Sequence, residues 1–199
     1  MLINSYEANG FVPISVIILT FNESQNIVAC LESVKSLTDD VVIVDSGSTD
    51  DTLVKASSYN PKVYQHPFEN YSKQRNWAFR NVDTRYEWIL NMDSDHRLTT
   101  ELIAELKRIF SAGIPSEING FMASRRTIFM NRWIKHGGHY PVYHGILFRK
   151  GFGCCEEKEY DQHFLIEGRS QLLKGDVIDI ITDSLHNFTT RHNNWATLE

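Results

Sequence analysis

The sequence predicts an α/β fold built on a doubly wound, mostly parallel sheet. Three short, nearly unbroken apolar runs, Ile14–Leu19, Val41–Val44 and Trp88–Met92, are rich in β-branched or large apolar residues. Such runs mark strands covered on both faces. Segments with apolar residues at helical spacing alternate with them, and strand–helix alternation implies parallel pairing.

The first strand follows Pro13 and ends at Thr20-Phe21-Asn22-Glu23. Ser24 is placed to cap a helix whose Ile27, Leu31 and Val34 form one apolar stripe. Asp40–Asp45 repeats the unit as a second buried strand ending in a carboxylate. Ser46-Gly47-Ser48-Thr49-Asp50-Asp51-Thr52 then gives a turn and cap, and Leu53, Val54 and Ala56 begin a second helix. Lys62–His66 reads as a third strand, Tyr71–Phe79 as a helix, and Trp88–Met92 as a strand running straight into Asp93-Ser94-Asp95. Thr99 or Thr100 caps an amphipathic helix carrying Leu102, Ile103, Leu106, Ile109 and Phe110. Beyond Gly113 the rhythm changes: Gly120–Phe129 and Tyr143–Phe148 read as strands joined by a loop rich in Gly, His and aromatics.

A chain of 199 residues, 42% hydrophobic, is sized for one domain with a substantial core. We therefore expect a single domain over 1–199, its two halves at 12–112 and 113–199 divided where the strand–helix rhythm changes. The pattern is still helical where the sequence stops, an end compatible with continuation of the natural chain. Twenty Lys and Arg against 25 Asp and Glu give a net charge of -5, the wrong sign for a protein that holds nucleic acid by neutralising phosphates. No apolar run reaches membrane-spanning length and the N-terminus lacks the order of a signal peptide, so the expected location is the cytoplasm, with peripheral contact on the inner face of the cytoplasmic membrane left open. Three cysteines, Cys30, Cys154 and Cys155, cannot all pair within one chain and are expected to be reduced thiols.

In an open parallel sheet the ligand sits beyond the carboxyl ends of the strands. Three polar segments meet that condition: Thr20–Glu23, Asp45–Asp50 and Asp93–Asp95. Two carboxylates one residue apart after a strand, Asp93 and Asp95, suit a hard cation such as Mn²⁺ or Mg²⁺, which keeps coordination positions open for diphosphate oxygens. That arrangement holds a nucleotide diphosphate without a basic surface. Asp45 is placed to accept from a ribose or uracil group, and Arg75 to pair with a pyrophosphate or stack on a base.

Taken in order, Ile14–Glu23, Val41–Thr52, Lys73-Gln74-Arg75-Asn76-Trp77-Ala78 and Asn91–Asp95 resemble the family 2 glycosyltransferases of the GT-A fold, in particular the bacterial branch acting on lipopolysaccharide core and other surface glycans. The resemblance implies a Rossmann-like nucleotide-binding half joined to a mixed acceptor-side half. It implies an inverting, metal-dependent transferase using a nucleotide-diphosphate sugar, a UDP-sugar being the first expectation, with a glycan or lipid-linked glycan as acceptor. Thr20, Phe21, Asn22, Glu23, Asp45, Ser46, Gly47, Arg75, Asp93 and Ser94 would then hold the nucleotide, and Asp93 and Asp95 the metal, with Asp95 counted among the catalytic residues. Lys135–Pro141 and Leu147–Lys150 resemble the branch more loosely. Val142 and Ile146 depart from it, standing where it often has an acid and an Arg.

An inverting transfer needs a base to take the proton of the acceptor hydroxyl. Candidates cluster in Glu156–His163. By resemblance Asp161 falls where the family's base is expected, with Glu157 second. Trp133, Tyr140 and Tyr143 are candidates for stacking on sugar faces, as His139, His144 and His163 are for acceptor contacts. His136, His139 and His144, in a glycine-rich loop with no carboxylate between them, make a poor zinc set. The segments His186–Phe188 and Arg191–Trp195 are placed by their order to close over the site.

Four rival readings remain or fall. A nucleotide pyrophosphorylase would carry a glycine-rich first loop, absent here, and a dinucleotide-binding dehydrogenase a G-x-G-x-x-G. A polyprenyl-phosphate glycosyltransferase and a catalytically silent nucleotide-sugar-binding module are the alternatives kept.

Overall fold

The computed structural model describes residues 10–158, 162–181 and 185–197, except the side chains of Asn187, Arg191, His192, Asn194 and Trp195. Its first half follows the predicted alternation: β1 (Ile14–Thr20), α1 (Ile27–Val34), β2 (Asp40–Asp45), α2 (Thr52–Ala56), β3 (Lys62–Gln65), α3 (Tyr71–Asn81) and β4 (Trp88–Asp93). Then come β5 (His96–Leu98), α4 (Thr100–Ala112), β6 (Ile118–Phe129), β7 (Arg132–Trp133), β8 (Tyr143–Arg149), β9 (Gly153–Cys155), β10 (Phe164–Ile166), β11 (Arg169–Ile181) and α5 (Leu185–Trp195).

The main sheet runs β3-β2-β1-β4-β8-β6-β11-β5, with β7 on β6. The pairs among β1, β2, β3 and β4 are parallel, as is β6 with β11, whereas β8 and β5 join antiparallel. The first strand shows why it sits centrally. All seven of its residues are buried, Ile14, Val16 and Ile18 on the side packed by Ile27, Leu31 and Val34 of α1 and Leu102, Leu106 and Phe110 of α4. Ile17 and Leu19 face the other way, against Ala78 of α3. Helices thus cover both faces, and the sheet is doubly wound.

One correction concerns a helix end. The residue preceding α1 is Asn26 rather than Ser24, and its side chain makes no capping bond; the Ser24 amide instead donates to Asp50 Oδ2 at 3.1 Å. The second helix does take in Leu53, Val54 and Ala56, but it is only five residues long and buries Thr52 and Ala56, leaving Val54 72% exposed. Thr99 does cap α4, accepting from the Leu102 amide at 3.2 Å.

The short β5 shapes the whole sheet. Along the sheet it lies four strand spacings from β4, about 19 Å if the sheet were flat. Yet the chain passes from Asp93 to His96 in three residues, a reach of about 11 Å at most. The sheet therefore curls, and the acidic turn clasps its two sides together. The Asp95 carbonyl accepts from the Ile180 amide of β11 at 3.0 Å, which fixes the clasp. On β11, Gly175 lets the strand lie directly on α4, since a Cβ there would come within 2.4 Å of Leu102 Cα.

Among the described residues no helix is long and apolar enough to cross a membrane.

Candidate active site

The carboxyl ends of β1, β2 and β4 open onto a cleft of ≈ 510 Å³ lined by Thr20, Phe21, Glu23, Ser46, Asp93, Ser94 and Asp95, all expected from the sequence. Pro67, Phe68, Tyr71 and Gln74 complete it from the start of α3 and the loop before it. Phe21, Phe68 and Tyr71 keep about half their surface exposed at 55%, 51% and 52%. Large aromatic faces left to water inside a cleft suit a planar, partly apolar ligand. Gln74 is held by its amide donating to Ser46 Oγ at 3.0 Å and the His66 carbonyl at 3.1 Å, while the His66 ring stacks on Trp77.

Three predicted contacts are used within the protein. Asp45 is fully buried; its carboxylate accepts from the Gly47 and Ser48 amides at 3.0 and 2.9 Å and from Ser48 Oγ at 2.5 Å. It thereby builds the turn in which Gly47 takes φ +93°. Asn22, also left-handed at φ 53°, accepts from the Thr49 amide at 2.8 Å and ties the first loop to the second. Asp45, Gly47 and Asn22 do not line the cleft; they hold the loops that do.

Arg75, 7% exposed, reaches across from α3. Its Nη2 lies 2.6 Å from each carboxylate oxygen of Asp93, and its Nη1 donates to Asn91 Oδ1. Burial disfavours a charged Asp93, but the Arg75 guanidinium, joined by His96 and Arg125, keeps the carboxyl below its ordinary pKa. Asp95 behaves in the opposite way: burial, then the charges of Asp93, Asp179 and Glu23, push it well above the usual carboxylate range. Although 35% of its side chain is exposed, its Oδ1 is buried with no hydrogen-bond partner. A carboxylate with an orphaned oxygen and a raised pKa beside one whose pKa is lowered fits a divalent cation, which would favour the ionised form and satisfy the oxygen.

Asp93, Asp95 and His96 place one potential ligand atom each within 4.8 Å of one another. The histidine is a poor third ligand. Its Nδ1 accepts from the Asp93 amide at 3.1 Å, and burial followed by the Arg125 charge lowers its pKa to about 3. A neutral imidazole has one lone pair, already in use, so Nε2 carries the proton; it faces Asp93 and Asp95 from 3.7 and 3.9 Å. His96 orients the acidic turn, and Cys30, its thiol pushed up to about 12 by burial, donates to the Asp93 carbonyl at 3.6 Å.

The candidate base Asp161 lies outside the described residues. The chain on either side is tied down near the cleft: the Lys158 carbonyl accepts from Ser72 Oγ of α3 at 3.0 Å and from the Gln162 amide at 2.8 Å. Glu156 holds the His163 ring at 2.9 Å and Lys158 at 2.9 Å, which with the His163 amide lowers its carboxyl to about 2. Glu157 is exposed. The ring of Trp133 is flanked by Arg126 and Lys135, and the Tyr140 hydroxyl donates to Asp176 Oδ2 at 3.2 Å, so both serve the local packing. His144 is half-buried, its ring held neutral to about 4 by burial and then by Arg125. Sequence reasoning missed Phe68, Tyr71, Gln74, His96 and Arg125.

The Glycosyl transferase family 2 profile matches residues 15–151. The chain belongs to this family. Among its curated relatives, a glycosyltransferase of Rickettsia bellii is 39% identical over 99 residues, covering 50% of this chain and 33% of the relative. The lipopolysaccharide core biosynthesis glycosyltransferase LpsC of Rhizobium meliloti is 32% identical over 119 residues, 57% of this chain and 42% of that protein. The chain spans about a third of the Rickettsia relatives' length. Among solved structures, S. aureus TarS aligns with TM-score 0.57 at 20% identity, covering 85% of this chain and 37% of TarS, a likeness of fold.

Proposed function

We propose that this family 2 chain carries the donor site of an inverting glycosyltransferase that moves a sugar from a nucleotide diphosphate, UDP first among them, to a glycan or lipid-linked glycan acceptor. The observation that carries the reading is the acidic turn at the end of an aromatic-walled cleft, where one carboxylate is pinned by Arg75 and its neighbour has a buried oxygen, Oδ1, without a hydrogen-bond partner.

In this reading residues 12–112 form the donor side and 113–199 the acceptor side of one domain. The exposed faces of Phe21, Phe68 and Tyr71 receive the base. Thr20, whose buried Oγ1 also lacks a partner, and Ser46 contact the ribose and phosphates. Asp95, with Asp93, would hold Mn²⁺ or Mg²⁺, and that cation would stabilise the charge growing on the departing diphosphate. Arg75 keeps Asp93 ionised for that purpose. Asp161 takes the acceptor proton as its oxygen attacks the anomeric carbon from the side opposite the diphosphate, which turns an α-linked donor into a β-linked product. The acceptor class draws support from the similarity to LpsC.

A thermal-shift panel of UDP-, GDP- and dTDP-sugars with and without Mn²⁺ tests this. Stabilisation by the UDP series only in the presence of metal is expected. A flat response across the panel would refute the donor site.

A further inference from the structure

Arg125 stands in the middle of β6, where the sequence marks nothing. Its Nε is buried and has no hydrogen-bond partner, and among the described residues its guanidinium joins no ion pair. The other inward arginines are all engaged. Arg75 pairs with Asp93, Arg126 with Asp176 at 2.6 Å, Arg149 with Glu87 at 3.0 Å, and Arg97 donates to Asn26 and to two carbonyls. The side chain as a whole is only partly buried, but a buried N–H without an acceptor still carries the cost of its lost hydration. Either the fold tolerates a defect at Arg125 or its partner arrives with a ligand.

Strand register decides where that partner lies. Arg125 is opposite Val177 of β11, and Val177 is opposite Leu98 of β5. The next row on the same face is Thr127, Asp179 and His96. Arg125 therefore sits beside the strand that closes the acidic turn, near enough for its charge to act on Asp93, Asp95, His96 and His144. No residue of β6, β8 or β11 lines the nucleotide cleft. The cleft ends at the acidic turn, and Arg125 lies past that end.

We propose that Arg125 binds a phosphate oxyanion of the bound substrate, beyond the acidic turn from the nucleotide base. The inference rests on the reading of the site as one for a nucleotide diphosphate. A cation on Asp95 and the guanidinium of Arg125 would then hold a single anion between two positive charges, and a phosphate oxygen is the acceptor that suits both. The phosphate is either the terminal phosphate of the donor's nucleotide or a phosphate carried by the acceptor.

Calorimetry on the whole chain with Mn²⁺ separates these. For Arg125→Gln, UDP affinity is expected to fall at least tenfold while UMP affinity is unchanged, and Arg125→Lys should recover most of the loss. Unchanged UDP binding, together with loss of the added stabilisation that millimolar inorganic phosphate gives to the UDP-saturated protein, assigns the anion to the acceptor. Both outcomes support an oxyanion site. If Arg125→Gln binds UDP, UMP and phosphate as the unaltered protein does, the proposal is overturned; Arg125→Met serves the same comparison should the Gln variant not fold. Absence of any UDP binding by the unaltered protein would strike the donor reading instead. In that case inorganic phosphate alone still decides Arg125: its stabilising effect either depends on this side chain or does not.

Discussion

Arg75 Nη2 lies 2.6 Å from both carboxylate oxygens of Asp93, and the same guanidinium is bonded to Asn91 two residues earlier on β4. One side chain of α3 thus fixes the end of the strand that delivers the acidic turn. Removing it leaves a mostly buried carboxylate unpaired. Arg75→Ala is expected to cost about 3 kcal/mol, as breaking such pairs does, and Arg75→Lys less. Chemical denaturation would check this; a loss below about 1 kcal/mol would mean that solvent screens the pair.

Asp95 would make the proposed cation site pH-dependent. Its folded pKa is raised above the unfolded value, so the folded state holds the proton more tightly, and apo stability falls as pH rises from the ordinary carboxylate range towards the folded pKa. Asp93, whose pKa is lowered, acts in reverse and costs stability only as pH falls below that range. Mn²⁺ must displace the Asp95 proton, so its affinity should weaken as pH drops. A Mn²⁺ titration that is flat with pH would remove Asp95 from the ligand set.

Asp95→Asn is a neutral near-isostere. It should raise the apo Tm by about 2–4 °C at pH values where Asp95 ionises, through relief first of the burial of its charge and then of repulsion from Asp93, Asp179 and Glu23, and abolish stabilisation by Mn²⁺ with UDP. Retained metal-dependent stabilisation would contradict the assignment.

Asp161→Asn should leave UDP binding intact and lower transfer by about 10²- to 10⁴-fold. Full activity in this variant would move the base elsewhere in Glu156–His163.

Gly175→Ala tests the packing of β11 on α4. A Cβ would meet the Leu102 backbone, so the variant should lose about 2 kcal/mol or more, read from urea unfolding. Normal stability would show that the helix yields freely.

The donor side was legible because strands covered on both faces leave continuous apolar runs, and the residues after them fall at one edge. Thr20, Phe21, Glu23, Ser46 and Asp93–Asp95 all line the cleft for that reason. Asp45, Asn22 and Gly47 satisfied the same rule yet went into turn building, because a carboxylate with two following amides in reach bonds them first. Phe68, Tyr71 and Gln74 come from a helix start and the loop before it, where no strand-end rule applies. The three-residue β5 is too short to show a period, and its pairing with Val177–Asp179 is distant in sequence, so the curl of the sheet stayed hidden. Arg125 was hidden with it: a mid-strand arginine reads as surface until the strand beside it is known.

The turn that joins β4 to β5 is a latch, and in the proposed function it is the ligand site as well. Whatever fastens Asp95 also fastens the far rim of the sheet, so an ion at this turn would slow hydrogen–deuterium exchange along β11 and β5. Conversely, loosening that rim would blunt the turn's grip on such an ion.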